Sequence, residues 1–302
     1  MARERRHYPI AGKTASITGA ARGIGAALAR RLHSCGANVA LIGLEPDRLR
    51  QNAESLGAER AFWFEADVTD RAALDSAVAA VVERFGGIDI AVANAGIAYV
   101  GTLAGMPEEQ VERVLAVNLL GVWRTDRAVA AEIKRSRGYL LNIASLAAIL
   151  HAPLMGPYTA AKAGVDALSD ALRGELAASG AAVGAAYFGY LDTDIVRGAY
   201  SHPAAQVVNS GLPSFLWQPA PLAGAIDAVQ RGIERRAPRI WFPRWVAAAY
   251  LLRGFLQPLS ERGLTAPGSR LQEALALADQ EAGGADDPTL GVAARALADR
   301  EG

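Results

Sequence analysis

Short apolar runs alternate with longer amphipathic stretches along most of the chain. We predict strands at Thr14–Thr18, Asn38–Ile42, Ala61–Glu65, Ile88–Ala93, Gly138–Ile143, Ala182–Tyr187 and Arg239–Phe242. Helical spacing of apolar residues predicts helices at Gly23–Gly36, Arg71–Phe85, Pro107–Arg135 and Tyr158–Ser179. Strands that alternate with helices are typical of a parallel sheet. The pattern predicts an α/β protein with a doubly wound sheet of seven strands.

The pattern changes after residue 245, where apolar residues recur at i, i+3, i+4 and i+7. The stripe consists of Trp245, Ala248, Ala249, Leu252, Phe255, Leu256 and Leu259. We expect one domain over 1–245 and a helical C-terminal extension over 246–302, with an amphipathic helix, a short helix at Leu271–Ala278 and a flexible tail. The stripe has three candidate uses: packing on the parent domain, packing on a partner subunit, or lying in a membrane interface. Packing on protein is favoured.

Charge and cysteine content narrow the function classes. Among 302 residues, 31 basic side chains balance 31 acidic ones, so we expect no nucleic acid partner. The single thiol, Cys35, cannot form an intramolecular disulfide, which favours a cytoplasmic location. The longest uncharged run of Ile240–Leu259 is Trp245–Leu252, too short to cross a bilayer. We therefore expect no transmembrane segment, and 240–259 leaves peripheral membrane contact open.

A glycine-rich turn follows the first predicted strand and opens the first predicted helix. It reads Thr18-Gly19-Ala20-Ala21-Arg22-Gly23-Ile24-Gly25. Backbone without side chains lets phosphates approach the free N–H groups and the positive end of the helix. The turn predicts a dinucleotide-binding Rossmann fold, although a tight turn without a ligand would contain the same glycines.

The end of the second strand bears on which nicotinamide cofactor is preferred. Many NAD-binding folds have an acid here that binds the adenosine ribose, but this chain has Gly43, followed by Leu44 and Glu45. Losing that carboxylate removes repulsion against a 2′-phosphate, which Arg22 is placed to meet. Glu45 is either a ribose ligand or a solvated loop acid. The sequence favours NADP slightly over NAD.

Tyr158 and Lys162 are four residues apart, so on a helix their side chains share one face. A cation beside a phenol favours phenolate, and we expect it to lower the pKa of Tyr158 toward working pH. Tyr158 would then serve as a general acid or base. Ser145 follows a predicted strand at the sheet edge where ligands of open α/β folds bind. It is placed to hold a carbonyl oxygen while Tyr158 protonates it.

These motifs together resemble the short-chain dehydrogenase/reductase family over about Gly12–Phe242. The matches are Gly19, Gly23 and Gly25, then Asp67-Val68, Asn94-Ala95-Gly96, Asn118, Ser145, Tyr158 and Lys162. The resemblance implies hydride transfer between a nicotinamide and a carbonyl or carbinol carbon, with Tyr158 transferring the proton. It further implies that Lys162 binds the nicotinamide ribose and that Asn118 holds a water that relays protons.

The resemblance also implies which residues bind the cofactor. They are Gly19, Ala21, Arg22, Gly23, Ile24, Gly25, Gly43, Leu44, Glu45, Asp67, Val68, Asn94, Ala95, Gly96, Tyr158, Lys162, Leu191 and Thr193. Phe188 departs from the family, which usually has proline before Gly189, so the path of the following loop is open. Asp192 and Asp194 flank Thr193 without a histidine cluster, which favours a helix cap over a metal site.

In this family the segment after the nicotinamide threonine covers the substrate, here about Asp194–Pro221. The predicted pocket residues are Leu146, Leu150, Met155, Tyr190, Phe215 and Trp217. Their apolar and aromatic character predicts a bulky hydrophobic ketone or secondary alcohol. His151 borders the same pocket and is a weaker candidate for substrate binding.

The function predicted is an NAD(P)-dependent carbonyl reductase or alcohol dehydrogenase. The alternatives are a non-catalytic NAD(P)-binding regulator or scaffold and a lyase or epimerase. The retention of Ser145, Tyr158 and Lys162 together favours the first. The resemblance implies a homodimer or homotetramer, as is usual in this family.

Overall fold

The computed structural model describes residues 7–210, 217–266 and 269–281. Seven parallel strands form one sheet in the order β3-β2-β1-β4-β5-β6-β7. The strands are β1 (Thr14–Thr18), β2 (Asn38–Gly43), β3 (Ala61–Glu65), β4 (Ile90–Ala93), β5 (Tyr139–Ile143), β6 (Ala182–Phe188) and β7 (Arg239–Phe242). The doubly wound Rossmann fold predicted from the sequence is confirmed.

Helices cover both faces of the sheet. Within the described residues they are α1 (Gly23–Ser34), α2 (Pro46–Leu56), α3 (Arg71–Phe85), α4 (Glu108–Leu115), α5 (Gly121–Ser136), α6 (Gly156–Leu176), α7 (Asp194–Ser201), α8 (Pro203–Ser210), α9 (Leu222–Glu234), α10 (Trp245–Leu251), α11 (Arg253–Thr265) and α12 (Leu271–Glu281). Short 3₁₀ turns at Leu146–Ala148 and Ala177–Ser179 flank α6.

Alternate residues of each central strand enter different cores. In β5, Tyr139 and Leu141 pack with α1, α2 and α9 on one face, while Leu140 packs with α3, α5 and α6 on the other. Both sets are buried, which is why these strands read as nearly continuous apolar runs. Burial on both faces fixes the strand ends from which the site residues project.

The predicted helix Pro107–Arg135 is interrupted. A π-helical turn, Ala116–Leu120, separates α4 from α5. Inside it, Oδ1 of Asn118 accepts a hydrogen bond from the Ile97 N–H at 2.8 Å, and Nδ2 donates to the Ile97 carbonyl at 2.7 Å. Periodicity does not report such a local widening, which is common near functional sites.

The C-terminal stripe does not lie on one helix, because the chain breaks at Leu252 between α10 and α11. Ala249 is buried against the domain, whereas Phe255 and Leu259 are 81% and 64% exposed. α12 extends the predicted helix Leu271–Ala278 to Glu281. Over the described ranges, no helix is both long and apolar enough to span a bilayer. The domain boundary at residue 245 stays a prediction.

Candidate active site

The carboxyl ends of β1 and β4 lie side by side where the strand order reverses. β1 pairs with β2 on one side and with β4 on the other. Ligands of open parallel sheets bind in the crevice above such a reversal. A cavity of about 810 Å³ lies here, lined by the glycine turn, the ends of β2, β4, β5 and β6, and the start of α6. The fold thus gathers the candidate residues around one cavity.

The glycine turn is built for close approach. Gly19 has a positive φ of 64°, and a Cβ there would lie 2.8 Å from the Cα of Ala95. A Cβ on Gly25 would lie 2.3 Å from the carbonyl oxygen of Gly19. Among the described residues, no side chain caps the start of α1. This uncapped helix start beside a bare backbone fits the pyrophosphate of a dinucleotide.

Hydrogen bonds from Asn94 connect the end of β4 to the glycine turn. Its Nδ2 donates to the carbonyl oxygens of Thr18 and Gly19 at 2.9 and 3.1 Å, and its N–H donates to Oγ1 of Thr18 at 3.0 Å. Asn94 therefore positions the backbone that lines the cavity.

Arg22 forms an ion-pair cluster at the cavity rim. It pairs closely with Glu45, and its NH1 lies 3.4 Å from Asp194 at the start of α7. Arg48 approaches the same Glu45 carboxylate at 3.4 Å. Hydrogen bonding to Glu45 raises the pKa of Arg22, so the guanidinium stays charged. Glu45 is thus an ion-pair partner in this structure and not the solvated loop acid considered above.

Ser145, Tyr158 and Lys162 meet where β5 ends and α6 begins. Ser145 hydrogen-bonds Tyr158, and its hydroxyl accepts from the Ala147 N–H at 3.1 Å. Lys162 is only 4% exposed, and its Nζ donates to the carbonyl of Ile143 at 2.8 Å. The same Nζ lies 5.7 Å from the ring centroid of Tyr158.

The expected lowering of the Tyr158 pKa was wrong for this arrangement. Burial raises the pKa of Tyr158, the hydrogen bond from Ser145 opposes that rise, and Tyr190 adds to it. Burial of the phenol is the largest of these effects and outweighs the hydrogen bond from Ser145, while the Lys162 ammonium, 5.7 Å from the ring centroid, donates to Ile143. Burial also lowers the pKa of Lys162, to about 8.

Asn118 lies near Ser145, Tyr158 and Lys162, fully buried in the π-helical turn. A Cβ built on Gly96 would lie 3.1 Å from Oδ1 of Asn118 and 3.8 Å from Nζ of Lys162. Because Gly96 has no side chain, space remains between the Asn118 amide and the Lys162 ammonium.

The cavity brings together most of the residues expected to bind the cofactor. Those that line it are Gly19, Ala21, Arg22, Gly23, Ile24, Gly43, Leu44, Glu45, Asp67, Val68, Asn94, Ala95, Gly96, Tyr158, Lys162, Leu191 and Thr193. Gly25 lies behind the turn, where it permits contact with Gly19.

The expected substrate residues divide into three groups. Leu146, Leu150, Met155 and Tyr190 line the cavity, as does the weaker candidate His151. Trp217 lies away from the wall of this cavity. Phe215 lies outside the described residues.

The loop after β6 has a defined path despite Phe188, which ends the strand and is buried. A parallel bridge joins Leu191 to Ala220. The side chain of Thr193 caps α7 by accepting from the Val196 N–H at 3.4 Å. The cap predicted for Asp192 and Asp194 thus belongs to Thr193, and both carboxylates instead pair with Arg197.

Sequence reasoning missed part of the cavity wall. α11 contributes Ser260, Gly263 and Leu264, α12 contributes Leu271, and Ser269 and Arg270 come just before α12. The apolar stripe did not indicate these residues, because none of them belongs to it and its members Phe255 and Leu259 on α11 are exposed.

Comparison with known proteins places this site in context. The short chain dehydrogenase family model matches residues 13–204. D-beta-hydroxybutyrate dehydrogenase of Rhizobium meliloti is 38% identical over 190 residues, 61% of this chain and 74% of that protein. 2,3-Dihydro-2,3-dihydroxybenzoate dehydrogenase of Bacillus subtilis is 35% identical over 211 residues, 68% of this chain and 81% of that protein.

Two solved structures are similar along most of their length. An alcohol dehydrogenase from the archaeon Thermococcus sibiricus, complexed with 5-hydroxy-NADP, has a TM-score of 0.66 and 31% identity, covering 76% of this chain and 95% of that one. A short chain dehydrogenase/reductase from Burkholderia phymatum in complex with NAD has a TM-score of 0.73 and 24% identity, covering 87% and 99%. The second likeness concerns the fold.

Proposed function

The chain belongs to the short-chain dehydrogenase/reductase family of NAD(P)-dependent oxidoreductases, and on that premise we propose that it interconverts a hydrophobic ketone and its secondary alcohol. The observation that carries the proposal is the contact of Ser145, Tyr158 and Lys162 at the wall of the 810 Å³ cavity. The nicotinamide cofactor, when bound, supplies or accepts the hydride.

The side chains then have distinct tasks. The hydroxyl of Ser145 orients the substrate oxygen, and the Tyr158 phenol transfers the proton to or from that oxygen. The raised pKa of Tyr158 keeps the phenol protonated at neutral pH, which is the form that ketone reduction requires. The ammonium of Lys162 over the ring stabilises negative charge on the phenol when the proton leaves.

A proton relay behind Tyr158 completes the proposal. The space left by Gly96 lies between Oδ1 of Asn118 and Nζ of Lys162. We assign a bridging water to this space, held by Asn118. Through it, Lys162 exchanges protons and restores the phenol after each turnover.

The substrate class rests on the apolar side chains that line the cavity near Ser145. Leu146, Leu150 and Met155 precede α6, and Ile195, Ala199 and Val208 belong to α7 and α8. Such a lining favours an aryl, alicyclic or steroid-like ketone, which buries its apolar surface there, over a small charged acid.

We favour NADP over NAD. Gly43 places no carboxylate at the end of β2, and the charged Arg22 lines the cavity beside it. In this assignment, a 2′-phosphate replaces Glu45 as the partner of Arg22.

Nicotinamide absorbance measured with NADH and NADPH tests the proposal across acetophenone, benzophenone, androstenedione and pyruvate. We expect the apolar ketones to be reduced and NADPH to give the higher kcat/KM. Fastest turnover of pyruvate would refute the substrate class, and absence of turnover with every ketone would refute the function.

A further inference from the structure

The cavity has a wall that lies beyond residue 204, where the family match ends. Ser260, Gly263 and Leu264 of α11 and Leu271 of α12 line the same cavity as Ser145 and Tyr158. They face it together with Val208 of α8, which belongs to the segment after Thr193. The C-terminal extension therefore lines the same cavity as Ser145 and Tyr158.

An aromatic and ionic cluster anchors this wall to the domain at the base of α11. The ring of Tyr250 lies 5.3 Å from the ring of Tyr187, between centroid contacts of 5.2 Å to Arg239 and 5.2 Å to Arg253. Arg253 also lies 3.5 Å from Asp166 of α6. Because α6 carries Tyr158 and Lys162, the anchor fixes α11 to the helix that performs the chemistry.

A second contact brings the extension toward the catalytic loop. Oε1 of Gln257 accepts a hydrogen bond from the His151 N–H at 2.8 Å. His151 lies between Ser145 and Tyr158 in sequence and borders the cavity. This contact holds the middle of α11 next to the loop between Ser145 and Tyr158, beside the cavity.

At the far end of the wall, α12 packs against α8. Ala274 and Ala278 of α12 are buried with Ala204 of α8 in one small apolar cluster. Arg270 donates to the hydroxyl of Ser210 at 2.9 Å, and Thr102 donates to Asp279 at 2.6 Å. Small side chains at this contact let the two helices approach closely.

From this arrangement we propose that α11 and α12 form a second substrate lid, which sets how large an apolar substrate the cavity accepts. The inference rests on the proposed function and adds the element that determines specificity. The carbonyl end of the substrate lies at Ser145 and Tyr158, and its apolar body extends toward Leu264 and Leu271. The exposed Arg270 and Glu273, paired at 3.0 Å, mark the solvent end.

Gly263 and Leu259 of α11 offer a matched test. A Cβ at Gly263 meets no described atom within 4 Å, so the position has open space, and Gly263 lines the cavity. Leu259 is 64% exposed and lies outside the cavity wall. We expect Gly263→Phe to raise KM for androstenedione about tenfold and to affect the smaller acetophenone far less. Leu259→Phe is expected to change neither KM.

Thiol protection provides a readout that does not depend on turnover. In a Cys35→Ala background, Leu264→Cys places a thiol at the cavity wall, and Leu259→Cys places one on the exposed face of the same helix. We expect benzophenone or androstenedione, added with NADP, to slow maleimide alkylation of Leu264→Cys about tenfold. Alkylation of Leu259→Cys should not change.

These experiments separate failure of the lid from failure of the proposed function. Equal effects of the two phenylalanine substitutions, or unchanged alkylation of Leu264→Cys with both ketones, would overturn the lid. Protection of Leu264→Cys by a ketone that the wild-type protein does not reduce would support the lid and count against the proposed reaction.

Discussion

The two walls of the cavity are built in different ways. The wall at the sheet edge holds Lys162 at 4% exposure and leaves no room for a Cβ at Gly25. The C-terminal wall is made by α11, which is described throughout and contains no buried residue, and by α12, whose Ala274 and Ala278 are buried. In the proposed arrangement, the chemistry lies on the wall at the sheet edge, the rigid wall, and substrate fit lies on the more lightly packed C-terminal wall, which lets specificity change without disturbing the reacting groups.

Arg22 joins the glycine turn of the rigid wall to α7, the helix that follows Thr193. It reaches Glu45 after β2 and Asp194 at the start of α7. Changes on the rigid wall should therefore alter catalysis or stability strongly. Changes at Arg22 and its partners should alter cofactor choice more mildly.

The largest expected effect comes from Tyr158→Phe. Removing the phenolic hydroxyl removes the proton donor while retaining the ring beneath Lys162, so turnover should fall about 10²–10⁴-fold. NADPH affinity, measured by fluorescence titration, should stay within about twofold. Turnover close to wild type would mean that Tyr158 is not the acid.

Gly25→Ala should damage the rigid wall without touching a reacting group. Its Cβ would meet the Gly19 carbonyl at 2.3 Å and Nδ2 of Asn94 at 2.7 Å. We expect a loss of about 1–3 kcal/mol in the free energy of unfolding, together with weaker NADPH binding. Gly174→Ala is the control, since a Cβ there meets no described atom within 4 Å. It should be neutral or slightly stabilising in a urea titration. Equal stability of both variants would contradict the packing described for the turn.

Glu45→Gln should sharpen the division between the walls by freeing Arg22. With the competing carboxylate gone, the ratio of kcat/KM for NADPH over NADH should rise about tenfold, a change of about 1.4 kcal/mol. Asp47→Asn is the control for nearby charge, since Asp47 is 90% exposed and pairs with Arg50. A ratio that moves equally in both variants would indicate a diffuse charge effect.

The smallest effect is a change in the pH profile. Burial lowers the pKa of Lys162 to about 8, so the side chain is charged below that pH and neutral above it. Ketone reduction should therefore decline as pH rises through about 8, because an uncharged Lys162 no longer stabilises the phenolate of Tyr158. Lys162→Arg stays charged throughout this range, and its normalised profile should lack the decline. Identical profiles would assign the titration to another group.

Much of the rigid wall could be predicted from the sequence, because local patterns determine it. The predicted bounds of β1, β3, β7 and α3 match the structure. Buried parallel strands are continuous apolar runs, and for α3 the side chain of Asp70 and the left-handed Gly86 mark the ends. The site residues at strand ends follow from the same patterns.

The rest depends on contacts that periodicity does not encode. Asn118 lies in a π-helical turn, where its amide bonds to Ile97, 21 residues away in sequence. The raised pKa of Tyr158 comes mainly from burial of its phenol, which the four-residue spacing to Lys162 does not encode. The apolar stripe placed Phe255 and Leu259 of α11 on a packing face, but both are exposed, and Gly263 and Leu264, which lie outside the stripe, line the cavity.

The most direct test of the proposed reaction is whether the nicotinamide hydride reaches the carbonyl carbon of a ketone. NADPH deuterated at the transferred position of the nicotinamide would be incubated with benzophenone and the wild-type protein or Tyr158→Phe, and the alcohol product analysed by mass spectrometry. We expect one deuterium on the carbinol carbon with the wild-type protein and almost no labelled alcohol with Tyr158→Phe. Alcohol without deuterium, or equal labelling by both proteins, would contradict hydride transfer with Tyr158 as the acid.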